Sequence, residues 1–280
     1  MKWRGRRRSQ NVEDRRGVRV GKAGGIGIGT IVLALVAMYF GVDPRLVMDA
    51  GRQLGGGQAT TQQVNYKPTA ADQEKAEFVS VVLADTEDVW NQAFQKYGRR
   101  YPEPKLVLFN GVVESACGRA QSAVGPFYCP GDKKVYIDLA FYDELRRRFK
   151  APGDLAQAYV VAHEVGHHVQ NLLGYTKKVP RGSKGADSAA VRLELQADCF
   201  AGVWVNHTEK AKHFLESGDL EEALNAASAI GDDRLQHQAT GTVRPDAFTH
   251  GTSAQRQRWF QKGVATGNIE DCDTFRTRTL

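Results

Sequence analysis

None of the chain's four cysteines forms a CxxC pair, so a zinc ribbon or a thioredoxin-type redox motif has no support. No internal repeat is visible. Only one long apolar stretch is free of charge, which excludes a polytopic membrane protein. Basic excess is also missing from most of the chain. Residues 1–22 carry nine Lys/Arg and two acids, and the other 258 residues carry 29 basic and 30 acidic side chains. The net charge of +6 therefore belongs to an N-terminal segment and not to a basic binding face, and no nucleic-acid partner is expected. With 41% hydrophobic and 25% charged residues the composition is that of a globular protein, which excludes wholesale disorder. A chain of 280 residues can hold one sizeable core with appendages.

The first 22 residues, MKWRGRRRSQNVEDRRGVRVGK, show no apolar period. Residues 23–42, AGGIGIGTIVLALVAMYFGV, are twenty in number without a charge. As a helix they span about 30 Å, the thickness of a hydrocarbon core. The exit MYFGVDP is a poor cleavage site, which favours an uncleaved anchor over a signal peptide. The expectation is a single transmembrane helix over 23–42. By the positive-inside rule residues 1–22 form a cytoplasmic tail, and the rest lies outside an inner (cytoplasmic) membrane, in the periplasm. Residues 43–68, rich in Gly, Gln and Thr, read as a flexible linker, and 69–280 as the folded domain. Outside the membrane disulfides persist. Of three possible pairings, Cys117–Cys129 with Cys199–Cys272 is favoured over four buried thiols.

Within the domain, three- and four-residue apolar steps predict a helix over Ala70–Tyr97. Lys105–Val113 reads as a strand, and Pro126–Leu139 as a hairpin turning at Pro130-Gly131-Asp132. Further helices are expected over Phe141–Phe149, Leu155–Leu173, Ser188 to about His207, Leu220–Ile230 and Ser253–Gly263. The pattern is α+β, mostly helical with a small early sheet.

The helix over Leu155–Leu173 carries His163-Glu164-Val165-Gly166-His167. Histidines four apart lie about 40° apart on a helix, so both imidazoles can meet one ion. Glu164, about 100° around from His163, sits beside the ion and can take a proton from water there. The alternative, incidental histidines on a surface helix, fits poorly with the apolar Val160, Val161, Val165 and Val169 around them. His168 is turned about 140° away and is expected to be a packed or hydrogen-bonded histidine, while Gln170 and Asn171 read as helix-surface or structural polar groups. Two histidines are too few for catalytic zinc, which takes three protein ligands. Glu194 and Asp198, also four apart on an otherwise apolar helix, supply the shortfall: one can bind the metal and the other can orient a histidine.

HEVGHHVQN, the later ELQADCFAGVW and the opening KWRGRRRSQNVEDRR resemble the neutral zinc metallopeptidase family of bacteria over nearly the whole chain. HExxH with ExxAD is similar, more broadly, to the gluzincin metallopeptidases. The resemblance implies a zincin-like fold in which His163, His167 and Glu194 bind Zn2+, Glu164 is the general base and Asp198 hydrogen-bonds a histidine ligand. It implies a membrane-anchored endopeptidase acting on a peptide or protein substrate. A zinc-stabilised binding or scaffolding protein of the envelope is the alternative, and loss of Glu164 or of a ligand would be its mark. For stabilising the oxyanion, His250, Arg256 and Tyr136 are candidates, although core or strand packing is the favoured reading of Tyr136. His250 and Arg256 lie in THGTSAQR, which looks like the SHPxxxxR segment of membrane-associated gluzincins with Gly251 in place of proline. The strand carrying Tyr136 is a candidate edge for an extended peptide.

Overall fold

The computed structural model describes residues 1–20, 61–63, 66–121 and 125–280. The expected anchor at 23–42 and most of the expected linker at 43–68 lie outside the described residues. Among the described residues no helix is long and apolar enough to cross a membrane.

The chain divides into two compact units, Arg16–Tyr66 and the remainder. In the smaller unit β2 (Val18–Val20) pairs antiparallel with β3 (Thr61–Gln63), and the Arg16 guanidinium lies over the Tyr66 ring.

The larger unit is α+β. Its sheet contains β1 (Val12–Asp14), β4 (Lys105–Phe109), β8 (Lys134–Asp138) and β7 (Phe127–Cys129) in that order. β4 runs parallel to both neighbours, and β7 runs antiparallel to β8. Side chains alternate across β4. Leu106 and Leu108 face the main helical core, whereas Val107 and Phe109 join Val113, Cys129 and Tyr136 in a second, smaller cluster. Burial on both faces explains why LVLF, after the exposed Lys105, is an unbroken apolar run. The hairpin of β5 (Val112–Ser115) and β6 (Gly118–Gln121) contributes to this smaller cluster. The expected strand 105–113 is thus two strands. The break falls at Asn110-Gly111, where Gly111 has a φ of 75° and donates its N–H to Asp138.

Seven helices are described: α1 (Ala70–Lys96), α2 (Ala140–Arg147), α3 (Asp154–Leu173), α4 (Ala189–Lys212), α5 (Asp219–Ala229), α6 (Asp232–Thr240) and α7 (Ser253–Thr266). Thr69 and Asp72 close a capping box on α1. Both expected disulfides are present, Cys117–Cys129 and Cys199–Cys272. They point to an extracytoplasmic compartment.

One expectation is corrected here. Residues 1–15 are not a free tail. Trp3 is buried on Phe78 and donates its indole N–H to Asp154, and β1 completes the sheet beside β4. The arginines that suggested a cytoplasmic signal pair with the acids of α1. Arg4 meets Glu74, Arg6 meets Asp85, Arg7 meets Glu87 and Asp88, and Arg8 meets Glu77. A strand hydrogen-bonded to β4 lies on the same side of any membrane as β4. This packing is therefore incompatible with a cytoplasmic 1–15 and an external domain.

Candidate metal centre

α3 and α4 lie against each other at the site. Gly166 permits the approach, because a Cβ there would stand 3.1 Å from the Ala197 carbonyl oxygen and 3.2 Å from its Cα. At the start of α3 the Leu155 N–H donates to the Glu222 carboxylate, which satisfies one of the helix's orphan donors. α4 is capped by the Ser188 hydroxyl, which accepts from the Val191 N–H.

These two helices bring His163, His167 and Glu194 together. One potential ligand atom from each lies within 4.8 Å of the others. Nε2 of His163 is 3.2 Å from Oε2 of Glu194, and Nε2 of His167 is 3.5 Å from Oε1. Both histidines turn their other nitrogen away, into protein. His163 Nδ1 meets Asp198 Oδ1 at 2.8 Å, and His167 Nδ1 meets Gln170 Oε1 at 2.8 Å. Nitrogen and carboxylate donors, with each imidazole held by an acceptor behind it, fit zinc and leave room for a further ligand. Glu164 lies on α3 between the two histidines and is largely buried.

The electrostatics match a site built for a cation. Burial opposes charge on His163, yet Asp198 and Glu194 raise its pKa to about 10. Burial likewise opposes charge on His167, and Glu194 raises it. Burial pushes the Glu194 carboxyl upward, but the two imidazoles hold it well below the usual range. Asp198 is fully buried and accepts two bonds from Arg256, Nε to Oδ2 at 2.8 Å and Nη2 to Oδ1 at 2.9 Å. The Tyr159 hydroxyl donates to the same carboxylate.

Arg256 was a candidate for the oxyanion. It is instead 1% exposed, behind Asp198, where it holds the carboxylate that holds His163. Tyr136 is a packing residue, the reading its sequence favours. It sits in the smaller cluster and its hydroxyl donates to Asp132. Its strand β8 is central, so the antiparallel edge is β7. His250 remains near the centre. It precedes α7, its ring is half exposed, and its charge acts on Glu194. Asp232 fixes it. One Asp232 oxygen accepts the N–H groups of Thr249, His250 and Gly251, and the other lies 3.2 Å from His250 Nδ1. Burial opposes charge on His250, but this bond and the nearby carboxylates raise its pKa.

His168 is a packed histidine, as its position on the helix predicted. It donates from Nε2 to the Pro102 carbonyl at 2.7 Å and accepts the Tyr128 hydroxyl at Nδ1, 3.0 Å away. Burial above all drives its pKa down to about 4. Gln170 and Asp232 were not identified as site residues from the sequence. The only available signal for Gln170 was its place three residues after His167, on the same helical face. For Asp232 there was none, since its partner is 18 residues away.

A family model described as "Putative neutral zinc metallopeptidase" matches residues 1–275. The chain belongs to this family. It is 50% identical over 292 aligned residues to the uncharacterized protein YpfJ of Escherichia coli K12, covering 98% of this chain and 99% of that one. It is 42% identical over 261 residues to the uncharacterized protein Rv2575 of Mycobacterium tuberculosis H37Rv, covering 87% of this chain and 86% of that one. No solved structure matches.

Proposed function

We propose that the protein is a zinc-dependent endopeptidase of the cell envelope. The observation that carries this reading is the convergence of His163, His167 and Glu194, with Glu164 carried between the two histidines on α3. His163, His167 and Glu194 would hold the ion. Zinc held there would supply Lewis-acid chemistry and lower the pKa of water. Glu164 accepts the proton of the attacking water at its carboxylate and returns it to the leaving amine. Asp198, fixed by Arg256, keeps a proton on His163 Nδ1 so that Nε2 is free. His250, oriented by Asp232, donates a hydrogen bond where negative charge develops on the scissile carbonyl oxygen. An extended substrate would add to the outer side of β7, the last strand of this sheet among the described residues, whose Tyr128 meets His168 on α3. Membrane attachment through the apolar run 23–42 belongs to the same proposal, with residues 1–15 and the domain on the same, outer side. Comparison of envelope peptides from cells carrying the wild type and Glu164→Gln tests the activity. Specific cleavage products should vanish in the variant, and an unchanged peptide pattern would overturn it.

A further inference from the structure

His163 and His167 do not share one kind of support. Behind His163 stands a carboxylate, and behind His167 stands a neutral amide, Gln170, which is fully buried. That amide belongs to a chain of buried hydrogen bonds. Gln170 Nε2 donates to the Leu193 carbonyl at 2.6 Å and to Gln196 Oε1 at 3.1 Å. Gln196, 1% exposed, donates in turn to the Cys272 carbonyl at 3.1 Å. Cys272 is covalently tied back to α4 through Cys199.

The direction of this chain is not free. A backbone carbonyl accepts and never donates. The Cys272 carbonyl therefore requires the NH2 end of Gln196, which turns its oxygen towards Gln170. The Leu193 carbonyl and the Gln196 oxygen together require the NH2 end of Gln170. Its oxygen is then left facing His167 Nδ1. Reversing either amide would set oxygen against oxygen between side chains that are 0% and 1% exposed, at the cost of unsatisfied buried groups. Facing an oxygen, Nδ1 must carry the proton. The lone pair is then on Nε2, the nitrogen that faces Glu194.

We propose that Gln170 is a positioning residue that fixes the metal-binding tautomer of His167, with Gln196 and the Cys272 carbonyl setting its polarity. The proposal rests on the metallopeptidase reading. It adds that one ligand is oriented without a further negative charge, by a relay anchored on the backbone of α4 and on the disulfide-bonded C-terminal segment.

The test uses the oxidised full-length chain as wild type, Gln170→Met and Gln170→Glu. Zinc affinity is measured by chelator competition, and thermal unfolding is measured on the metal-free proteins. Methionine fills the space without an acceptor. Glutamate keeps an acceptor for Nδ1 but loses the donor to Leu193. Both variants should lose thermal stability. Only Gln170→Met should weaken zinc binding, by about 10–100-fold, and in the zinc-loaded protein it should lose the slowly exchanging Nδ1 proton of His167. Should Gln170→Met not fold, Gln196→Met, one bond further back, should weaken zinc binding in the same direction. Wild-type affinity in Gln170→Met, or equal loss in the methionine and glutamate variants, would overturn the relay. A wild type that binds no zinc would overturn the metallopeptidase reading itself, which keeps the two failures distinct.

Discussion

At the site, residues one helical turn apart do different work. Glu194 faces the Nε2 atoms of both histidines, whereas Asp198 faces Nδ1 of His163 and is occupied by Arg256 on its other side. Their substitutions should therefore cost unequal amounts. Glu194→Ala leaves two protein ligands and should largely empty the site. Asp198→Asn should retain zinc with affinity reduced about 10–100-fold. Metal titration of the two variants decides the assignment, and the reverse ranking would mean that Asp198 is the ligand. His168 supports a separate prediction about acid. Its native pKa is about 4 against about 6.5 in an unfolded chain. Between those values the unfolded state binds more protons, so its contribution is complete above the unfolded value and is lost as pH falls towards the native one. Between about pH 7.5 and about pH 5, denaturant unfolding of the metal-free protein should move towards instability by about 2 kcal/mol more in the wild type than in His168→Gln, a difference from which the groups common to both proteins, His163 among them, cancel. Equal losses in the two proteins would contradict it. HExxH and the Glu194–Asp198 pair were legible as clusters on one helical face because periodicity converts spacing into direction, whereas the division of roles between the two acids was implied only by the family resemblance. Arg256, Asp232 and Gln170 were not legible in their roles, because each depends on a contact that only the tertiary fold creates.

Six of the seven described helices were legible as elements, and their starts were closer than their ends: α4, expected to stop near His207, runs on to Lys212. Ser188, the expected start of α4, is its N-cap, and Gly174, with a φ of 84°, stops α3. The pairing of helices was not legible, because it depends on glycines that lack a side chain. α4 and α7 approach so closely that a Cβ on Gly202 would stand 2.2 Å from the Phe260 carbonyl oxygen, and one on Gly263 would stand 2.0 Å from that of Cys199. That contact carries Arg256 to Asp198. In a sequence these glycines read only as weak points in a helix. The short strands failed for a different reason. β5 and β6 together hold eight residues, VVES and GRAQ, too few and too mixed for period-two alternation to register. Their hairpin is tied to β7 by the Cys117–Cys129 bond. α6 went unrecognised because DDRLQHQAT carries no apolar stripe: only Asp232 in it is buried.

At the scale of the whole molecule, the basic opening segment is the main revision. Its charge looked like a topology signal, since residues 1–22 hold the whole excess. In the fold, four of its arginines meet five acids, among them Asp85 and Glu87, which are 1% and 2% exposed. Local composition cannot distinguish a charge meant for a membrane face from one meant for a partner far along the chain, as Arg4 and Glu74 are. Single cysteines introduced at Gln10 and at Lys262, both exposed, test the consequence with a membrane-impermeant thiol reagent on sealed right-side-out vesicles. The fold predicts that both positions are labelled alike. Labelling of Lys262→Cys with protection of Gln10→Cys would place the two on opposite sides and contradict the β1–β4 pairing.

The central claim is that the three converging side chains hold zinc and that Glu164 moves the proton. It is tested most directly by measuring zinc content and peptide hydrolysis together on the purified wild type and Glu164→Gln. Both should carry one zinc per chain, because the substitution removes no ligand, and only the wild type should cleave. Hydrolysis by Glu164→Gln at the wild-type rate, or a wild type that takes up no zinc, would contradict the account.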